Sequence, residues 1–385
     1  IKSFDDLKKL PFLTKEIIKE NYNDLISSTY PKNKRIPRNT GGTSGDRLYF
    51  LESFNCGLIE WAFITTIWGR VGFKPSDCRI SIGDVPIVQN KENQLWQYDP
   101  LRKEWRLSPF HLSLENLPRY LEKIRDAKCR YIHGFVSSLT IIAKFILDHN
   151  YIDLPPFNAI LASSETIYDW QRELIENAFK TRLFSWYGQN EKVILASECE
   201  VNQEYHILPE YGYAEVVRPD GTQVKSGHEL GALVGTGFYN YAMPFIRYKL
   251  DDWGQIEEKE CKCGRSHNFL INLKAKRIVN MIVAKQKYLI SALAINLRSG
   301  IFINIERFQF YQDKVGELIL KIVKGINYKL EDTQRILKEL NNQLGDAVDI
   351  KVIFVDKIPL TECGKQKVLE QKLNVDLLKK LDSQF

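Results

Sequence analysis

The stretch Arg130–Ser163, RYIHGFVSSLTIIAKFILDHNYIDLPPFNAILAS, decides the fold class. RYIHGF and AILAS are short apolar runs of strand length, and residues 137–149 between them read as a helix. Strand, helix, strand is the unit that builds parallel sheets. Working outward, RISIG from 79 and RLFSWYG from 182 add strands, while 115–127 and 168–179 add helices. The alternation predicts a largely parallel sheet covered on both faces. Upstream, residues 4–27 look helical around Pro11, and 54–70 read as a buried helix. YPKNKRIPR, 30–38, reads as a basic, solvated loop. After residue 203 short β-like runs alternate with Pro-Asp-Gly and Lys-Ser-Gly turns, the texture of hairpins. From about 300, ERFQFYQ, ELILKIV and DIKVIFVD read as strands around the amphipathic helix KLEDTQRILKELNNQL. The expected architecture is α/β. A large N-terminal α/β domain, 1–277, carries a β-rich part at about 203–277. A small α+β domain follows at 278–385.

The 385 residues are 44% hydrophobic and 26% charged, ordinary for a globular enzyme of two or three domains. No window approaches ~20 consecutive apolar residues, which excludes a spanning helix. The net charge of +6 is spread too thinly to argue for nucleic acid, and no aromatic-interleaved basic stripe gathers it. The chain opens at Ile1 with no signal layout, which suggests a missing upstream segment and a cytoplasmic protein. Seven cysteines at uneven spacing read as free thiols or a metal site.

The chemistry concentrates in Thr40–Phe50, TGGTSGDRLYF. Gly41, Gly42 and Gly45 permit close approach and positive φ. With Thr40, Thr43 and Ser44 such a loop can turn N–H groups and hydroxyls around an anion, or be a surface turn. It matches neither the Walker A pattern nor G-x-G-x-x-G. Further along, SWYGQNEKV sets Glu191 four residues after Tyr187. MPFIRYKLDDWG carries Asp251 and Asp252, LKAKRIVNMI carries Arg277, and IPLTECGKQKV carries Lys365. Each alone is bland; their order together is not.

That order resembles the adenylate-forming superfamily of acyl- and aryl-CoA ligases, in the branch of phenylacetate–CoA ligase, coenzyme F390 synthetase and CapK-like proteins. It spans essentially the whole chain, through LPFLTKE, the Gly-rich loop, HGFVSSL, SSET, YGQNE, PFIRYKLDD, CKCGR and TECGK. The resemblance implies that Thr40, Gly41, Gly42, Thr43, Ser44 and Gly45 hold the ATP phosphates, and that Glu191 helps bind Mg²⁺. It implies that Tyr187, with Gly188, stacks on adenine beside Ser164, Glu165 and Thr166. Asp252 would take the ribose hydroxyls, Arg277 would sit at the hinge, and Lys365 would meet the α-phosphate. The implied reaction turns a small carboxylic acid into an acyl-adenylate, then passes it to CoA or an amine, with the C-terminal domain moving as a lid. AMP transfer in capsule or cofactor biosynthesis, and a non-catalytic zinc-stabilised protein, are the alternatives. Two departures stand out: Leu250-Asp251-Asp252 replaces the usual Thr-Gly-Asp, so Asp251 competes with Asp252, and apolar Val279 follows the hinge Arg277.

Cys261 and Cys263 in a polar turn, with Cys199 and His206 upstream, would make a tetrahedral Cys₃His set suited to structural zinc. Unligated cysteines are the competing reading, His267 is an alternative ligand, and Cys363 reads as an exposed thiol. Relatives in the branch that bind zinc favour Zn²⁺. His133 is either a core histidine or a pocket-lining one, and Trp61 and Phe135 are further pocket candidates.

Overall fold

The computed structural model describes residues 4–40, 48–83, 94–109, 111–112, 115–164, 167, 169–218, 220–224, 229–274, 281–292, 295, 304–325, 328–359 and 369–373. In chain order, α1 (Phe4–Leu7) and α2 (Lys15–Glu20) precede β1 (Arg35–Asn39), β2 (Tyr49–Ser53) and α3 (Cys56–Trp68). Next come β3 (Arg79–Ile82), β4 (Trp96–Asp99), β5 (Glu104–Leu107), α4 (Leu117–Ala127), β6 (Tyr131–Phe135), α5 (Val136–Asp148), β7 (Ala159–Ser163) and α6 (Asp169–Phe179). Then follow β8 (Leu183–Gly188), β9 (Leu195–Ser197), β10 (Tyr205–Ile207), β11 (Gly212–Val217), β12 (Gly231–Gly237), β13 (Tyr248–Glu257) and β14 (Phe269–Lys274). The last are β15 (Met281–Val283), β16 (Leu289–Ser291), β17 (Ile305–Gln312), β18 (Glu317–Lys324), α7 (Leu330–Leu344), β19 (Asp349–Phe354) and β20 (Leu369–Gln371). They group into two compact units. One draws on Ile1–Thr40, Leu48–Pro75 and Phe184–Ala275, the other on Ser76–Leu183 and Lys276–Phe385.

In the first unit β11, β12, β13, β14, β10, β9 and β8 lie side by side, each antiparallel to its neighbour. The turn-rich sequence after residue 203 folds as those hairpins. Val193, Ile194, Leu233, Phe245, Tyr248 and Leu270 are in its core. Arg247, 6% exposed, forms a two-pronged pair with Glu215, 1% exposed, at 3.1 Å on each prong. The same guanidinium donates to the carbonyls of Lys8 and Leu10, pinning the N-terminal segment. That segment differs from the expected helix over 4–27. Thr14 Oγ1 caps α2 by accepting from Ile17 N, and only the two short helices around Pro11 form. Helix α3 differs too: it leaves Leu58 66% and Trp61 38% exposed rather than fully burying its length.

In the second unit the order is β7, β6, β3, β5, β4, with β7, β6, β3 and β5 parallel and β4 antiparallel at the edge. Ile80, Ile82, Ile132, Ile160 and Ala162 point to one face, where Leu121 and Ile124 of α4 and Leu139 and Ile142 of α5 cover them. Helix α4 manages this with buried residues at 117, 120, 121 and 124, one stripe of a 3.6-residue period. The opposite face carries charged and polar side chains beside apolar ones such as Leu161. The pleat sends Arg79, Ser81, Glu104, Arg106 and His133 there. Arg79 Nε lies 3.1 Å from Glu104 Oε1, and both are 4% exposed; Arg106 bonds Glu104 and Asp99. Cys78 and Cys129, just before β3 and β6, form a disulfide, so two thiols expected free are paired. The C-terminal strands follow the order β19, β18, β17, β20, with α7 burying Ile336, Leu340 and Leu344. Phe308, Phe310, Leu318, Leu320 and Ile322 of these strands share one apolar cluster with α4 and α5.

Candidate functional site

The hairpin of β1 and β2 carries the Gly-rich stretch. It closes on Thr40, whose N–H donates to Leu48 O at 2.9 Å and whose Oγ1 accepts from Leu48 N at 3.1 Å. Gly41, Gly42, Thr43, Ser44 and Gly45 lie outside the described residues, as do Glu165, Thr166, Arg277 and Lys365.

Strand β8 delivers Tyr187 and Gly188 at its end, and β13 contains both Asp251 and Asp252, which the sequence alone allowed as a turn. Tyr187 donates its hydroxyl to Asp252 Oδ2 at 2.9 Å, so two residues 65 apart in sequence form one element of the site. Burial, then the Asp252 carboxylate, pushes the Tyr187 phenol well up, which keeps it a donor. After β8 the chain turns tightly: Gln189 Oε1 accepts from Val193 N and Ile194 N at 3.3 and 3.2 Å. The turn tucks Glu191 inward, 9% exposed, where its Oε1 accepts from Tyr248 OH at 3.1 Å. Burial raises the Glu191 carboxyl, and the Asp252 charge adds to that rise. An ionised Glu191 in this buried place would be stabilised by a hard cation bound to it.

What holds this turn in place are contacts between residues far apart in the chain. Lys192, with φ 56°, bonds Glu52 of β2 and lies 3.1 Å from Glu60 of α3. Glu52, 2% exposed, also takes Arg38 Nε of β1 at 2.9 Å. The hairpin flanking the Gly-rich stretch is thereby tied to the turn that carries Glu191. The only signal in the sequence was a lysine directly after that glutamate.

Cys199, His206, Cys261 and Cys263 converge in the same unit, their ligand atoms all within 4.8 Å of one another. Cys199 follows β9 and His206 sits in β10, which pairs with both β9 and β14; Cys261 and Cys263 lie in a turn ahead of β14, where Gly264 takes φ 79°. Cys199 Sγ is 3.8 Å from Cys261 Sγ, and Cys263 Sγ is 3.6 Å from His206 Nε2. Tetrahedral zinc with bonds of about 2.3 Å to sulfur and about 2.05 Å to nitrogen has edges of about 3.8 and about 3.6 Å. The donor set therefore fits a four-coordinate metal with no open position. Burial, then Arg70, pushes His206 down to about 4, so its imidazole is neutral and can ligate. Burial opposes ionisation of Cys263, but the Arg265 backbone and side chain outweigh it and lower the thiol. His267, the alternative ligand, stays outside the group.

The second unit holds the remaining predicted residue, Ser164, exposed at the end of β7 with φ 70°. Ser163 Oγ lies 3.5 Å from His133 Nε2 and 3.5 Å from Ser164 Oγ. Burial, then Arg79, holds the His133 imidazolium down to about 4.

This architecture is the fold of the adenylate-forming ligases. A 2-hydroxyisobutyryl-CoA ligase solved in the postadenylation state with R3-HIB-AMP matches it with a TM-score of 0.56 at 17% identity, covering 100% of this chain and 84% of that one. The same ligase in its thioesterification state, with 2-HIB-AMP and CoA, gives 0.57 at 16% identity over the same shares. The chain is also similar to CapK. Residues 281–372 match the CapK C-terminal domain, and Protein CapK of Staphylococcus aureus is 27% identical over 377 residues, 94% of this chain and 79% of CapK. Among the described residues no helix is long and apolar enough to cross a membrane.

Proposed function

We propose that the protein activates a carboxylic acid with ATP to an acyl-adenylate, releasing pyrophosphate, and then transfers the acyl group to a thiol such as CoA. The observation that carries this reading is the Tyr187–Asp252 hydrogen bond beside the buried Glu191–Tyr248 pair, at the end of a strand in this ligase fold. Tyr187 would pack against adenine while its hydroxyl fixes Asp252 to accept from the ribose hydroxyls. Glu191 would hold Mg²⁺ on the pyrophosphate leaving group, and its ionisation would follow from that binding. Thr40 through Gly45 would cradle the β- and γ-phosphates, and Ser164 through Thr166 would border the base. Lys365 would neutralise charge at the α-phosphate, with Arg277 at the pivot of residues 278–385. Cys199, His206, Cys261 and Cys263 would hold a structural Zn²⁺.

The acceptor is read from the product. Incubation with ATP, Mg²⁺, an acid and either CoA or an amine should yield free AMP plus thioester or amide. AMP found covalently on the acceptor would instead make the protein an AMP transferase. K365A should still bind ATP but form no adenylate; undiminished turnover in K365A sinks that role.

A further inference from the structure

Five segments of the second unit meet along the edge from which its parallel strands start. Lys103, ahead of β5, donates Nζ to Ser76 O at 3.3 Å, and Arg79 N donates to Lys103 O at 3.1 Å, so the β4–β5 turn adjoins the lead-in to β3. Cys78 joins that lead-in to Cys129, ahead of β6. Arg130 Nη1 donates to Pro156 O at 3.2 Å, which adds the loop before β7. Thr181 Oγ1 donates to Asn158 O at 3.1 Å, which adds the turn after α6. In open parallel sheets ligands bind at the carboxyl ends of the strands. This amino-terminal edge lies at the opposite end.

The same edge carries the two most exposed large apolar side chains among the described residues, Leu101 at 95% and Ile152 at 93%. Each is held out by its own backbone. Asp99 Oδ1 accepts from Leu101 N at 3.0 Å and from Arg102 N at 3.2 Å, which sets Leu101 at the tip of the β4–β5 turn. Tyr151 N donates to Ile146 O at 2.9 Å where α5 ends, and Pro155 and Pro156 stiffen the chain beyond Ile152. Strands β5 and β7, into which these segments lead, stand three spacings apart, about 14 Å. The ground around the tips is cationic. Arg102, Lys103, Lys128, Arg130 and Lys180 are exposed there. Of the acidic groups in these segments, Asp99 is held by Arg106, Asp126 and Asp153 by Arg125, and Asp148 faces Lys144 one turn back on α5. That leaves Asp77 against the five cations.

We propose that this edge docks on the surface of an anionic lipid bilayer, with Leu101 and Ile152 entering the acyl boundary and the five cations lying at the level of the phosphates. A protein partner needs a contiguous apolar core inside a polar rim. Here two single aliphatic tips stand apart on charged ground, which suits a fluid bilayer that closes around each tip separately. Apolar burial and attraction to anionic headgroups act together in such binding. Each tip should contribute about tenfold or more in affinity, and each cation about fivefold. The surface is independent of the adenylation reading, and docking on it turns the carboxyl ends of the parallel strands away from the bilayer.

The test is co-sedimentation of the full chain with vesicles of phosphatidylcholine, with and without phosphatidylglycerol, at low and high salt. The protein should pellet with the anionic vesicles and much less with phosphatidylcholine alone, and high salt should weaken the binding. L101E and I152E should each lower vesicle affinity by about tenfold or more. R102A combined with K128A should lower it by about 25-fold and narrow the difference between the two vesicle types. L58E, at an exposed leucine of α3, is the control and should bind as the parent does. Melting should be unchanged in every variant, because all of these side chains are on the surface, so lost binding is not lost folding. No pelleting with anionic vesicles at low salt overturns the proposal. Pelleting that L101E and I152E both leave unchanged overturns it as well, whatever salt does. A protein that ignores vesicles and passes from dimer to monomer in L101E assigns the edge to a second copy of the chain, which also overturns it.

Discussion

Replacing Cys263 by alanine removes one of four ligand atoms that lie within 4.8 Å of one another. Structural zinc in small peptides contributes about 10–16 kcal/mol of apparent binding free energy at neutral pH. What folding gains is set by the excess of free metal over the dissociation constant, about 4 kcal/mol at a thousandfold excess. The metal here would tie the segment after β9 and strand β10 to the turn before β14, three pieces between residues 199 and 263. Losing that tie should lower Tm by about 8–16 °C, at about 2–4 °C per kcal/mol for a domain of this size. The assay is zinc stoichiometry by elemental analysis alongside thermal melting, with and without a strong chelator. The purified protein should carry one zinc, and chelation and C263A should lower Tm alike without adding. Cys56 is a matched control, because it is buried but donates to Tyr239 O rather than joining the cluster. A metal-free protein whose melting ignores both chelator and C263A would refute the reasoning.

Other outcomes follow from the same contacts. Arg247→Ala strands the buried Glu215 carboxylate and should cost about 3–5 kcal/mol, read as a lower urea midpoint; Glu215→Gln should cost less, because no charge is left behind. Asp252→Ala should weaken ATP binding by about ten- to a hundredfold, the worth of about 1.5–3 kcal/mol for a charged acceptor, while Tyr187→Phe should cost less than tenfold. Equilibrium dialysis with ATP checks both, and equal affinity in Asp252→Ala removes its ribose role. His133 titrates near 6.5 when unfolded but is held down to about 4 when folded, facing Arg79 and Glu104. Between those values the unfolded chain binds the extra proton, so stability is full above about 6.5 and falls as pH drops toward 4, by up to about 3 kcal/mol. Urea midpoints at pH 7 and 4.5 should converge in H133Q relative to the parent protein.

The parallel strands and helices were legible because each carries its own period. Residues 130–163 fold as β6, α5 and β7, and the C-terminal pattern folds as β17, β18, α7 and β19, within a residue or two of expectation. Cys199, His206, Cys261 and Cys263 could be grouped from the sequence only with the help of the resemblance, and the structure brings their ligand atoms within 4.8 Å of one another. Contacts between distant residues were not legible. The pairing of Cys78 with Cys129 depends on β3 and β6 becoming neighbours, which no spacing of 51 residues reveals. The polar face of Arg79, Glu104 and Arg106 hides in alternating sequences whose other half is apolar. Lys192 could be seen as a charge, but its partners Glu52 and Glu60 become visible only once β2, α3 and the turn after β8 are assembled. The helical reading of 4–27 holds only as the short α1 and α2 on either side of Pro11, and Arg247 takes the carbonyls of Lys8 and Leu10 between them.

The most direct test of adenylation is ATP–pyrophosphate exchange in the presence of Mg²⁺, without CoA, across hydroxy, aryl, short-chain, long-chain and amino acids. Exchange that requires an acid, and that is lost in E191Q and K365A, is the expected result. Exchange absent with every acid, in a protein that binds ATP and melts cooperatively, would contradict the account.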